Sequence, residues 1–175
     1  FEWRFEFPEV LNEDGNFVGF DVVIGNPPYM YRNAEIQNQK EYFRSNYYNT
    51  TGNYDLYKFF IELSVRILKQ DGFNSLITNS SFLLQTSFKK TREFLLNNSY
   101  FHNIIPLGGS VFEEATVDSA IYILQKRKYK EGETLVINPQ NPIDIAITPS
   151  YSVIQSRFFK NDFFVFDYLL NDREY

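Results

Sequence analysis

Asn26-Pro27-Pro28-Tyr29 is the stretch of this sequence best equipped for chemistry. Two acceptors stand side by side in it, the Asn26 side-chain oxygen and the Pro27 carbonyl, and an aromatic face follows at Tyr29. Such a set answers a particular problem. The lone pair of an exocyclic amine is delocalised into the ring that bears it, so the amine is a poor nucleophile. Two acceptors at roughly 3 Å, one for each N–H, would draw the amine out of conjugation and aim its lone pair at an electrophilic methyl group. Two successive prolines fix φ and hold the Pro27 carbonyl in place before reaction, while Tyr29 offers a π face on which a base can stack. A neutral acceptor suffices, because the proton leaves after the methyl group arrives. The tetrad alone also fits a plain strand-ending turn, where Asn and Pro are common. Its lead-in, Asp21-Val22-Val23-Ile24-Gly25, makes the chemical reading the more specific one.

The elements that must position this tetrad follow from the hydrophobic pattern. Phe20–Gly25 is an apolar, β-branched run of the length of a buried parallel strand, ending at a glycine. A strand of that kind delivers its following residues to the carboxyl edge of an open α/β sheet, where ligands bind. Before it, alternating Phe1, Trp3, Phe5 and Phe7 predict a strand, and Asn12-Glu13-Asp14-Gly15-Asn16 a turn. After it, residues 31–53 are polar and rich in Asn, as in a long functional loop holding a short helix. Leu56, Phe59, Phe60, Leu63 and Ile67 then recur at helical spacing, with Asp55 at the positive end and Asp71-Gly72 closing the segment. Residues 73–78 read as a second buried strand, followed by polar Asn79-Ser80-Ser81 and a helix around residues 87–97. Two strands at 101–106 and 120–125 have no helical periodicity between them, which predicts antiparallel pairing. The sum is an α/β fold. Beyond Lys130 the texture changes, with Pro139, Pro142 and Pro149 punctuating short β-like stretches, so a boundary is expected near residues 128–140.

Bulk properties narrow the function. A chain of 175 residues with 19% aromatic content can fill one sizeable core. Without cysteine there is no disulfide or thiolate metal site, which is in keeping with a cytoplasmic home, and the single His102 cannot build a metal site. No apolar run approaches the roughly 20 residues of a membrane helix, and the start does not resemble a signal peptide. A net charge of −5 counts against autonomous duplex binding, which relies on Lys and Arg neutralising phosphates. Basic clusters occur at Lys89, Lys90 and Arg92 and at Lys126, Arg127, Lys128 and Lys130, but short charge runs are usually solvated faces.

The string FDVVIGNPPY resembles the catalytic motif of the N6-adenine DNA methyltransferases of restriction-modification systems. The opening Phe1-Glu2-Trp3-Arg4-Phe5-Glu6-Phe7-Pro8-Glu9-Val10 is similar to the lead-in of large fused restriction-modification methylases. Tyr54-Asp55-Leu56-Tyr57 resembles the family's next helix start, and the likeness covers roughly residues 1–128. It implies the C-terminal half of a Rossmann-like S-adenosylmethionine-dependent methyltransferase sheet, ending in an antiparallel hairpin. It further implies double-stranded DNA as partner and an adenine flipped out of the duplex. Catalytic roles would fall to Asn26, Pro27 and Tyr29. The resemblance matches Phe112 to an aromatic that stacks on the flipped base opposite Tyr29, although a core phenylalanine is the alternative in a chain with 19 of them. It matches Phe60 to a ring beside the cofactor adenine and Pro28 to a cofactor contact; Phe60 also lies on the stripe of Phe59 and Leu63, as a core residue would.

Two features of the family are missing. A glycine-rich strand-turn for the cofactor and an acidic residue for its ribose should precede the motif, and too few residues stand before Phe20 to hold them. The expectation is therefore a catalytic half spanning residues 1–130, with 131–175 as linker and the possible start of a target-recognition region. Such a fragment would be inactive alone, needing the N-terminal half of the domain as partner and leaving a strand edge to be covered. The same tetrad chemistry serves enzymes that methylate a glutamine side chain of release factors or a guanine amine of RNA. A non-catalytic specificity or assembly module is the alternative from another class.

Overall fold

The structure is a computed structural model and describes residues 3–29, 38–50, 55–109, 111, 117–128 and 131–169. A single six-stranded sheet organises it. The strands are β1 (Phe20–Gly25), β2 (Leu68–Asn79), β3 (Tyr100–Gly108), β4 (Ser119–Gln125), β5 (Glu133–Ile137) and β6 (Ser150–Ile154), in the spatial order β1-β2-β4-β3-β5-β6. β1 runs parallel to β2, with Val22 opposite Phe73 and Gly25 opposite Leu76. β4 is antiparallel to both β2 and β3, as the missing helical periodicity predicted. β5 returns parallel to β3 and β6 closes the sheet antiparallel to β5. The carboxyl ends of β1, β2, β3 and β5 therefore share one edge.

Helix α1 (Trp3–Glu6) opens the chain; α2 (Lys40–Asn46) lies in the polar segment; α3 (Leu56–Arg66) connects β1 to β2; α4 (Ser81–Leu84) and α5 (Lys89–Asn98) connect β2 to β3; α6 (Ser156–Lys160) follows β6. Of the stripe read from the sequence only Phe59 is buried, with Leu56, Leu63 and Ile67 half-buried and Phe60 exposed. α3 forms where the periodicity places it but buries Tyr57, Ile61 and Val65 at four-residue spacing. Leu95 and Leu96 of α5 meet it, together with Leu76 of β2, Phe101 of β3 and Tyr122 and Leu124 of β4. Phe158 and Phe166 of the tail enter the same core, both fully buried, so residues beyond 131 add strands to the sheet and side chains to its packing. Each such side chain contributes about 1.5–3 kcal/mol.

Two further expectations differ from the structure. Where described, the aromatic alternation at the start forms helix α1 and leads into a 3₁₀ turn at Pro8–Val10, and a single bridge joins Leu11 and Phe17 after it. Period two specifies a strand only where a neighbouring strand supplies hydrogen bonds. Asp71-Gly72, read as a helix stop, lies inside β2 instead. Asp71 adopts φ 63°, and the strand shifts register between Phe20 and Val22. The same Asp-Gly chemistry that ends helices permits a bulge.

One face of the sheet, carrying Asn74, Leu76 and Thr78, is covered by α3 and α5. The other face leaves Val22, Ile24 and Phe73 52%, 77% and 39% exposed. No helix among the described residues is long and apolar enough to cross a membrane.

Candidate active site

Gly19 sets the entry to β1. Its φ is +101°, and a Cβ there would stand 2.6 Å from the Ile67 carbonyl oxygen, so only glycine lets the chain pass the end of α3. β1 then runs along β2, and the buried Asn74 side chain donates from Nδ2 to the Val23 carbonyl at 3.0 Å. The Ser64 hydroxyl of α3 donates to the Ile61 carbonyl at 2.8 Å and also reaches Asn74 Oδ1 at 3.3 Å. Strand and helix are thus tied together three residues before Asn26.

Asn26, Pro27 and Pro28 leave the end of β1 as one wall of an apolar cavity of about 310 Å³, whose other walls include Phe60, Leu63, Ser64 and Leu76. Of the residues singled out in the sequence, Asn26, Pro27, Pro28 and Phe60 are therefore brought together. Phe60 is 41% exposed at this cavity, which separates it from its buried neighbour Phe59. Phe59 instead stacks on Phe43 of α2 at 4.1 Å between centroids.

Tyr29 turns away from that cavity into a second one, of about 440 Å³, lined by Asp55, Tyr57, Asn79, Ser81, Gln85, Phe88 and Val117. Its hydroxyl donates to the Ile77 carbonyl at 3.0 Å and its ring meets Tyr57 edge to face at 6.1 Å, so burial raises its pKa. Tyr57 stacks on Phe88 at 5.6 Å. The result is an aromatic recess with polar groups at its rim. Phe112 lies outside the described residues.

Sequence reasoning missed Asp55 as part of this recess. It stands at the start of α3, where a carboxylate is ordinary, but its Oδ1 is buried without a hydrogen-bond partner. Burial pushes its carboxyl up to about 6, against the opposing pull of the Tyr57 backbone N–H and the Lys58 ammonium. Lys58 is itself buried, which brings its ammonium down to about 8 although Asp55 and Glu62 hold it up. Glu62 anchors the segment after α2, accepting from the backbone N–H groups of Tyr48 at 2.8 Å and Asn49 at 3.0 Å and pairing with Arg66.

One member of each basic cluster turns inward, while Lys89 and Lys128 stay exposed. Arg92 is fully buried, and its guanidinium donates to the carbonyls of Phe82 at 2.7 Å, Gln85 at 2.8 Å and Phe163 at 3.0 Å. Lys126 donates from Nζ to the Arg66 and Leu68 carbonyls, at the sheet edge opposite the tetrad. No group of metal-binding side chains occurs among the described residues.

The chain is similar to known proteins over most of its length. Residues 1–112 fit the model of the Eco57I restriction-modification methylases. The chain belongs to that family. Among its curated relatives, the type II restriction enzyme and methyltransferase RM.Eco57I of Escherichia coli is 33% identical over 114 residues, covering 63% of this chain and 11% of the relative. RM.MjaORFECS2P of Methanocaldococcus jannaschii is 33% identical over 173 residues, or 98% of this chain and 13% of its own length. The chain thus spans about an eighth of the length of these relatives. The fold recurs in the methyltransferase subunit of a type I restriction-modification system from Streptococcus thermophilus, with TM-score 0.61, 16% identity and coverage of 85% of this chain and 37% of that one. It recurs also in the type IIG restriction endonuclease BpuSI, with TM-score 0.57, 24% identity and coverage of 71% and 15%.

Proposed function

We propose that this member of the Eco57I family carries the amine-orienting part of an S-adenosylmethionine-dependent DNA methyltransferase that modifies N6 of an extruded adenine. The observation that carries the reading is the placement of Asn26-Pro27-Pro28-Tyr29 between two cavities at the carboxyl edge of the sheet, one apolar and one aromatic with a polar rim. The first suits the cofactor, with the exposed Phe60 ring for its adenine and Pro28 against its body. The second suits the target base, with Tyr29 as stacking surface and Phe112 as the second face. Bound S-adenosylmethionine supplies a methyl group made electrophilic by a sulfonium. Asn26 Oδ1 and the Pro27 carbonyl accept the two amine hydrogens, which localises the lone pair on N6. The N6–methyl bond forms as the methyl–sulfur bond breaks, its electron pair staying on sulfur as a thioether, and N6 then releases one proton to solvent. Stacking on Tyr29 and Phe112 offsets the few kcal/mol needed to unstack the base.

The described residues around the first cavity include no carboxylate for a ribose. Val22 and Ile24 lie exposed on the edge strand β1, and edge strands with apolar faces are normally paired or covered. Cofactor binding is therefore completed by a further part of the sheet docked on β1, and the chain without it is inactive. Double-stranded DNA is the macromolecular partner; Arg92 and Lys126 are committed to backbone carbonyls and are not its phosphate contacts.

The test is transfer of a labelled methyl group to duplex DNA by the full-length protein, followed by digestion to nucleosides. Label in N6-methyladenine is expected. Label in N4-methylcytosine, in RNA or in a protein glutamine would contradict the substrate assignment.

A further inference from the structure

Asn79 ends β2 and faces the recess that Tyr29 enters. The backbone N–H of Ser81 donates to its side chain at 2.8 Å. A backbone N–H can only donate, so the atom it meets is the amide oxygen, and this settles the orientation of the amide. The Nδ2 group points the other way and has no partner among the described residues. Two other donors on the rim are engaged: Tyr29 with the Ile77 carbonyl and Gln85 Nε2 with the Ser81 hydroxyl at 3.0 Å. A fixed amide with unused N–H donors beside three aromatic rings is built to read the edge of a planar ligand.

We infer that Asn79 is a specificity-determining residue whose Nδ2 donates to N1 of the target adenine, the ring nitrogen bonded to the carbon that bears the amine. This rests on the function proposed above. With the amine held by Asn26 and Pro27, N1 is the acceptor next to it on the Watson–Crick edge, and flipped bases are read on that edge. Gly25 pairs with Leu76, so Asn26 leaves β1 level with Ile77 and Asn79 ends β2 two residues further along the neighbouring parallel strand, which delivers both side chains to the same carboxyl edge of the sheet. A base with N–H at that position, as guanine has at N1, would set donor against donor.

The test uses the full-length protein and duplexes carrying adenine, 1-deazaadenine or 7-deazaadenine at the target position. Loss of N1 is expected to lower kcat/KM about tenfold to a hundredfold, the usual effect of leaving a buried donor unpaired, while 7-deazaadenine reacts like adenine. Asn79→Asp keeps an oxygen for the Ser81 N–H but replaces the donor by an acceptor. It should lose a similar factor on adenine and no longer distinguish adenine from 1-deazaadenine; Asn79→Ala should show the same collapse of discrimination. Equal rates of the wild type on adenine and 1-deazaadenine, or discrimination retained in either variant, would overturn the inference while leaving adenine methylation standing. Failure of the wild type to methylate adenine at all would instead remove the functional reading beneath it.

Discussion

Asp55→Asn should stabilise the protein at neutral and alkaline pH and do little in acid. The carboxyl binds its proton more tightly in the folded chain, at about 6, than at its ordinary 3.8, because burial disfavours the charge. Its contribution is therefore fully present below about pH 4, is lost as the pH rises to about 6, and stays lost above that. At about 1.4 kcal/mol per tenfold change in proton affinity, the rise from 3.8 to about 6 is worth about 3 kcal/mol at most. The group is only half-buried, and solvent screening reduces this to about 1–2 kcal/mol. Asn has no charge to desolvate and keeps an oxygen at the start of α3. Urea unfolding followed by circular dichroism at pH 8 and pH 4 measures the difference. A higher midpoint for the variant at pH 8, shrinking towards zero at pH 4, is expected. An equal shift at both values, or a less stable variant at pH 8, would show that desolvation of the Asp55 carboxylate does not burden this recess.

Arg92→Met should cost about 3 kcal/mol, because it removes the donors to the carbonyls of Phe82 and Phe163 and one of the two to Gln85, which the Phe88 N–H also serves; a lowered urea midpoint reports it, and an unchanged one would deny the guanidinium its role in holding the tail. Gly19→Ala should cost about 3 kcal/mol as well, since a Cβ would collide with the backbone at Ile67–Lys69 from a φ that alanine avoids. Increased amide exchange in β1, measured by hydrogen–deuterium exchange, should accompany it.

The sequence displayed the site more fully than the scaffold. Phe20–Gly25 and the tetrad are legible because a short β-branched run, a glycine and two prolines leave the backbone few options. Helix α3 is legible from its 3.6-residue period. The placement of β5 and β6 is not, since the order β4-β3-β5-β6 is a matter of long-range pairing to which no local pattern corresponds. Arg92 reads as part of a surface cluster with Lys89 and Lys90, and its burial depends on a carbonyl 71 residues away, at Phe163, where φ is 56°. Asp55 likewise reads as a routine helix-start acid. Only the packing of Tyr29 and Tyr57 beside it reveals a carboxylate kept at a cost.

The central claim is that Asn26 holds the amine that receives the methyl group. It is tested most directly by measuring methyl transfer to duplex DNA alongside cofactor affinity in the full-length protein and its Asn26→Ala variant. The account predicts a fall in kcat of at least about a hundredfold, as for other residues that stabilise only the reacting geometry, with cofactor affinity nearly unchanged. Transfer at the wild-type rate by the variant would contradict it.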